Sequence, residues 1–139
     1  MESSRTRIFG VAGNPVLHSK SPVMFNAAFE SIGIDGVYTR IAASDPREVV
    51  ECAKEMNIAG LNVTSPFKEG IMPFLDDVDD AAKRIGAVNT VVAKRGILKG
   101  YNTDPAGVVK ALTAADVKLS GFRAAGLHGS SRELPDAAW

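Results

Sequence analysis

Short apolar runs and helically spaced apolar positions take turns along the first 65 residues. RIFGVAG (7–13) is an apolar run stopped by Gly13, Asn14 and Pro15, and it predicts a buried strand. After the polar loop NPVLHSKSP (14–22), Phe25, Phe29 and Ile32 recur at i, i+4 and i+7, which predicts a helix with Ser21 as N-cap, Pro22 in its first turn and Gly33 as its stop. GVYTRIAA (36–43) reads as a second strand. In SDPREVVECAKEMN (44–57), Asp45, Pro46 and Glu48 form an aspartate version of the capping box. Val49, Ala53 and Met56 supply the apolar face of that helix, and Glu51, Lys54 and Glu55 its solvated side. GLNVTS (60–65) is a third strand, followed by helical pieces near 67–75 and 77–85. AVNTVVAKRGILKGYNTD (87–104) then predicts two strands joined at Arg95-Gly96. A last helix over 105–115 would carry Val108, Leu112 and Ala115 on one face.

Strand, helix, strand, helix, strand favours parallel pairing with crossovers. The fold class is therefore α/β: an open, mostly parallel mixed sheet with helices on both faces and a C-terminal β-hairpin plus helix. The 139 residues are 45% apolar and 23% charged, as expected of a soluble globular chain with a core. Sixteen basic and 16 acidic side chains cancel, which argues against nucleic acid or an anionic membrane as the main partner. The lone Cys52 makes no internal disulfide and reads as a small buried thiol. MESSRTRIFG has no long apolar run before the first strand, so neither a signal peptide nor a membrane span is predicted, and the expected location is cytoplasmic.

Candidate chemistry collects where open α/β sheets bind ligands, beyond the carboxyl ends of the strands. His18, Ser19, Lys20 and Ser21 follow the first strand, and Asn62, Thr64, Ser65 and Lys68 the third. Asn89 and Thr90 lie in AVNT, and Asn102, Thr103 and Asp104 in GYNTD. Hydroxyls and amides both donate and accept, which suits a ligand bearing several hydroxyl groups. Lys68 with Asp104 suits proton exchange at an alcohol or ketone. Two distant histidines and no Cys/His spacing give metal binding little support. Each position also has an ordinary reading: Lys68 as a surface charge, Ser21 as a helix cap, Ser19 as a turn residue, Asn62 and Asn89 as partners of loop backbone, and Asp104 as an N-cap.

GNPVLHSKSP, GLNVTSPFK, GAVNTV and LKGYNTD, in that order and spacing, resemble the substrate-binding domain of the shikimate dehydrogenase family over roughly residues 7–115. Four separate motifs in register are far more specific than a lone glycine pattern. The resemblance implies a family that reduces 3-dehydroshikimate to shikimate with NADPH, on the way to aromatic amino acids. It implies Ser19 and Ser21 at the substrate carboxylate, Asn62 and Thr64 as polar groups of the third motif, and Asn89 and Asp104 at substrate hydroxyls. It further implies Lys68 as the catalytic lysine, paired with Asp104. Hydride delivery leaves negative charge on the ketone oxygen, and an ammonium stabilises that charge and supplies the proton.

The second half of such an enzyme is not visible in this sequence. Residues 1–104 read as the shikimate-binding domain, and 105–139 as a connecting helix and the truncated start of a dinucleotide-binding domain. GFRAAGL would open that domain, but Gly126 and Gly129 do not make G-x-G-x-x-G and Pro135 interrupts the helix that should follow. Pro105 also departs from the glycine that usually follows NTD in the family. NADP is the cofactor of the full-length family, and none is expected to bind this chain well. Three readings stand: the substrate-binding half of a shikimate dehydrogenase, inactive alone; a binding module for shikimate- or quinate-like polyhydroxy acids; or a non-functional remnant. The expected partner is a small-molecule substrate, and the oligomeric state is left open.

Overall fold

The computed structural model describes residues 5–116. The chain forms two compact units that divide between Asn102 and Thr103. The first contains β1 (Arg7–Gly13), α1 (Ser21–Ile32), β2 (Gly36–Ala42), α2 (Pro46–Glu55) and β3 (Gly60–Val63). It continues with α3 (Phe67–Gly70), a 3-10 turn (Met72–Phe74), β4 (Asp77–Val78), α4 (Asp80–Ile85), β5 (Thr90–Lys94) and β6 (Ile97–Tyr101). The second holds α5 (Asp104–Ala114). The strand read at GFRAAGL and the tail beyond it lie outside the described residues.

The six strands are ordered β2-β1-β3-β5-β6-β4. β1 is parallel to β2 and to β3, β3 and β5 are antiparallel, β5 and β6 form the hairpin, and β4 is parallel to β6. The α/β fold with a mostly parallel mixed sheet is thus as the pattern predicted. Arg95 (φ 52°) and Gly96 (φ 79°) both have positive φ, the two-residue turn that suits the twist of a hairpin.

Alternation along the strands divides the core by face. Ala12, Leu61 and Val63 join Val49, Val50 and Ala53 of α2, together with Phe67, Ile71 and Ala82, in the larger cluster. Val11, Val16 and Tyr38 meet Phe25 and Phe29 of α1 in the smaller one. Val11 and Ala12 are sequence neighbours in different clusters, so α1 covers one face of the sheet and α2 to α4 the other.

The helix signals hold where they rest on backbone chemistry. Asp45 Oδ1 accepts from the Arg47 and Glu48 amides at 2.8 and 3.1 Å. Glu48 Oε2 reaches back to the Ser44 amide at 2.6 Å, one residue earlier than a standard capping box. Gly33 ends α1 in the left-handed conformation, φ 70°.

Several expectations are corrected. Ser21 is not the N-cap of α1; it is the first helical residue, with Lys20 before it, and its amide donates to Ser19 Oγ at 3.3 Å. The hydroxyl at this helix start therefore comes from Ser19. Asp104 is likewise not an N-cap but the first residue of α5, following Thr103, where its charge suits the helix dipole. Ile32 is 69% exposed because it is the last residue of α1, past the two rings that meet the sheet. Met56 is 53% exposed because it follows the last helical residue of α2. Cys52 is only half-buried, 3.6 Å from Met56 Sδ; burial and then the nearby Glu55 and Glu48 push its thiol pKa up. The 67–75 helix breaks into α3 and a 3-10 turn at Pro73, which has no N–H for the ladder. In 77–85, Asp79 caps α4 by accepting from the Ala81 amide at 3.0 Å, so the helix starts later and Asp77–Val78 pairs as β4.

Asp45→Ala removes an acceptor shared by two helix-start amides. Urea denaturation is expected to show a loss of about 1 kcal/mol with an unchanged slope.

Candidate functional site

Two strand ends create the site. β1 and β3 are adjacent and parallel, with Ala12 opposite Val63, so their chains leave the sheet side by side. The two exits are stitched together: the Thr64 amide donates to the Ala12 carbonyl at 2.9 Å and the Asn14 amide to the Ser65 carbonyl at 3.2 Å. Asn14 Nδ2 also donates to the Ala43 carbonyl past the end of β2, at 3.2 Å. A Cβ at Gly13 would collide with the Thr64 methyl, so only glycine lets these loops run this close.

Between the loops is an open cleft of about 510 Å³, in the range of small-molecule sites. Val11, Val16 and Val63 supply apolar lining. The polar lining includes Ser19, Ser21, Asn62, Thr64, Lys68 and Asn89, six of the seven residues singled out in the sequence. His18 lines the cleft as well. The seventh, Asp104, belongs to the second unit, at the start of α5.

The stretch SPFK holds Lys68 in place by packing rather than by length. Phe67 is 3% exposed, and its amide donates to the Thr64 carbonyl at 3.0 Å. The Lys68 carbonyl accepts from the Val88 amide at 2.7 Å, which ties α3 to the segment entering β5. Asn89, the next residue, is the buried polar residue of the first unit's core. Its amide donates to the Tyr101 carbonyl at 3.0 Å and its carbonyl accepts from the Val63 amide at 2.7 Å. Backbone bonds thus place Lys68 and Asn89 against the end of β3.

Two site-forming residues were missed in the sequence. Tyr38, 4% exposed, donates its hydroxyl to Asn62 Oδ1 at 2.7 Å. Burial pushes its pKa up to about 12. Arg40, two residues along the same face of β2, donates from Nε at 3.0 Å and from Nη2 at 2.5 Å to the Ser19 carbonyl. A fork of two charge-assisted bonds on one carbonyl fixes the serine loop and brings positive charge beside Ser19 and Ser21. The available signal was their spacing of two on a strand that also carries apolar residues.

This arrangement can hold a small, polar, anionic ligand: hydroxyls and an arginine-braced loop at one wall, amides at the next, and an ammonium at the strand end. It is an α/β domain whose cleft at the strand ends is lined by hydroxyls and amides. The chain belongs to the family described as the shikimate dehydrogenase substrate binding domain, whose model matches residues 11–91. Shikimate dehydrogenase (NADP(+)) of Alkaliphilus metalliredigens is 43% identical over 136 residues, 95% of this chain and 48% of that protein. The crystal structure of shikimate 5-dehydrogenase from Listeria monocytogenes, in complex with shikimate and NAD, superimposes with a TM-score of 0.78 at 39% identity, covering 86% of this chain and 42% of that one. A 5-ketofructose reductase of a Gluconobacter species gives a TM-score of 0.74 at 32% identity, over 81% of this chain and 41% of that one. The chain therefore spans about half the length of the relatives it matches. Among the described residues no helix is long and apolar enough to cross a membrane.

The raised Tyr38 pKa carries a linkage with a defined sign. Between pH 10, where the unfolded phenol ionises, and about 12, where the folded one does, the folded state holds the extra proton, so stability falls as pH rises. A titration followed by phenolate absorbance is expected to show one of the two tyrosines ionising near pH 12, or together with unfolding below it. Two tyrosines ionising near pH 10 in the folded protein would contradict the buried hydroxyl.

Proposed function

We propose that this chain binds shikimate, or a closely similar polyhydroxy ring acid, as the substrate-binding half of an NADP-dependent shikimate dehydrogenase. The observation that carries the reading is convergence: six side chains from three separated segments line one cleft of suitable size. Ser19 and Ser21 hold the carboxylate, helped by the positive Arg40 that braces their loop. Asn62, Thr64 and Asn89 take ring hydroxyls, and the family resemblance gives Asp104 a substrate hydroxyl as well. Lys68 donates the proton as hydride reaches the 3-ketone, and takes it back in the reverse direction. A reduced nicotinamide would supply hydride to the ketone carbon and Lys68 the proton to its oxygen, so that the reaction balances.

NADP enters through the relatives, whose printed names carry it. Nicotinamide chemistry is assigned to a second half of the kind those longer proteins have room for, and residues 105–139 are read as the connection toward it. The zero net charge supports a small-molecule partner over nucleic acid, and the absence of a long apolar run before β1 supports a cytoplasmic location. A second reading is a binding module that holds the acid without turnover, which the hydroxyl- and amide-rich lining of the cleft also suits.

Titrating the chain with shikimate is expected to move amide resonances around Ser19, Asn62 and Lys68, saturably and with little change elsewhere. No response, or one spread evenly over the surface, would overturn the assignment. Joined to the cofactor-binding half of a relative, Lys68→Ala should lower kcat by roughly 10²–10⁴-fold while KM changes by less than about tenfold. Equal losses in both would reduce Lys68 to a binding residue.

A further inference from the structure

Alternation places Tyr38 of β2, Asn62 of β3 and Thr90 of β5 on the sheet face that α1 covers. Asn62 sits directly opposite Val11 on one side and Thr90 on the other. Tyr38 reaches across β1, where its own neighbour in register is Phe9. Three hydrogen bonds link these groups in one direction. The Tyr38 hydroxyl donates to Asn62 Oδ1 at 2.7 Å, Asn62 Nδ2 donates to Thr90 Oγ1 at 3.5 Å, and Thr90 Oγ1 donates to Asn89 Oδ1 at 2.9 Å. Both asparagines line the cleft.

We propose that Tyr38 is a positioning residue for the cleft: its hydroxyl heads a directional chain that fixes how the side-chain amides of both Asn62 and Asn89 are turned. The proposal rests on the function assigned above only for what the amides bind, not for the chain itself.

An asparagine amide presents an oxygen and an NH₂ of nearly the same size, so its orientation is decided by its partners. Here one orientation sets the next. With Oδ1 of Asn62 occupied by the phenol, Nδ2 faces Thr90; with Thr90 accepting from Nδ2, its single proton passes to Asn89 Oδ1. The opposite direction would have Asn89 Nδ2 donating to Thr90, Thr90 to Asn62 Oδ1, and Asn62 Nδ2 to the phenol oxygen. The phenolic proton would then need another acceptor, yet among the described residues Asn62 is the hydrogen-bond partner of that hydroxyl, and Tyr38 is 4% exposed. A buried donor without an acceptor is costly, so the direction is decided at the tyrosine end.

Tyr38 is itself held from three sides. Its ring stacks on Phe25 with centroids 4.4 Å apart and planes 6° apart. Its backbone N–H and C=O pair with the side-chain amide of Asn26, at 2.8 and 2.9 Å. The raised pKa keeps the hydroxyl protonated over the working pH range. Strand β2 and helix α1 thus hold the donor in place, and the 3.5 Å step from Asn62 to Thr90 is the weakest link.

The test uses the full chain, labelled with ¹⁵N, and shikimate as probe. Tyr38→Phe keeps the stacked ring and removes the donor. In ligand-free protein the side-chain NH₂ resonances of Asn62 and of Asn89 should both move, although residue 38 does not hydrogen-bond Asn89. Shikimate affinity should fall about tenfold, the cost of one misdirected buried hydrogen bond. Thr90→Val should move the Asn89 resonances and lower affinity similarly, and Thr90→Ser should restore both. Combined with Tyr38→Phe, Thr90→Val should add little. An unmoved Asn89 pair in Tyr38→Phe, or identical behaviour of Thr90→Val and Thr90→Ser, overturns the proposal, even where the unfolding midpoint drops. If Tyr38→Phe does not fold, the comparison of the two Thr90 variants decides. If the wild-type chain does not bind shikimate, the assigned function fails, while the ligand-free resonances still decide whether the chain of amides is set from Tyr38.

Discussion

Two parallel strands that leave a sheet side by side must satisfy the backbone groups of both exits, and the rest of this site follows from that. The loops after β1 and β3 do so by bonding to one another, Thr64 to Ala12 and Asn14 to Ser65. Once the loops are tied, the side chains they carry have few places to point. Ser19 and Thr64 both line the cleft between the loops, and the loops approach closely at Gly13, where a methyl group would strike Thr64. The cleft is a consequence of how two strand ends are closed, and its polarity a consequence of which residues close them.

The opening of β5 supplies the opposite wall by similar means. Asn89 is held by main-chain bonds to both β3 and β6, so its side chain is buried at the edge of the cleft it lines. A buried amide needs partners, and Thr90 gives one of them. Phe67 does comparable work for Lys68: its buried ring anchors α3 in the core, and the Lys68 carbonyl ties the same turn to Val88.

Much of this was legible in the sequence, for a specific reason. The succession of strands and helices, the hairpin at Arg95-Gly96, the Gly33 stop and the Asp45 cap depend on local backbone chemistry, which residue identity reports directly. The six cleft residues were legible because they stand in four-part motifs next to strand ends. What escaped depends on the third dimension. Tyr38 lies in the middle of a strand and reads as core; that its hydroxyl crosses β1 to reach Asn62 follows only from strand order β2-β1-β3. Arg40 reads as a solvated strand residue until the Ser19 carbonyl is found in front of it. Ser21 looked like a cap because serine before proline is a good helix start, but the hydroxyl two residues earlier took that place. β4 escaped because two residues carry no periodicity.

The residues that were missed share one trait: they touch cleft-lining residues and do not line the cleft themselves. Arg40 acts on a carbonyl, Tyr38 on an amide, and neither lines the cavity. Both stand on β2, an edge strand, which contributes none of the cleft's lining. An edge strand is usually judged by how it protects its open side. Here it also braces two segments of the site, the serine loop through Arg40 and the β3 asparagine through Tyr38. β2 therefore couples the wall that suits a carboxylate to the wall that suits ring hydroxyls, so a change in its register by one residue would turn Tyr38 and Arg40 to the other face together and release both walls at once.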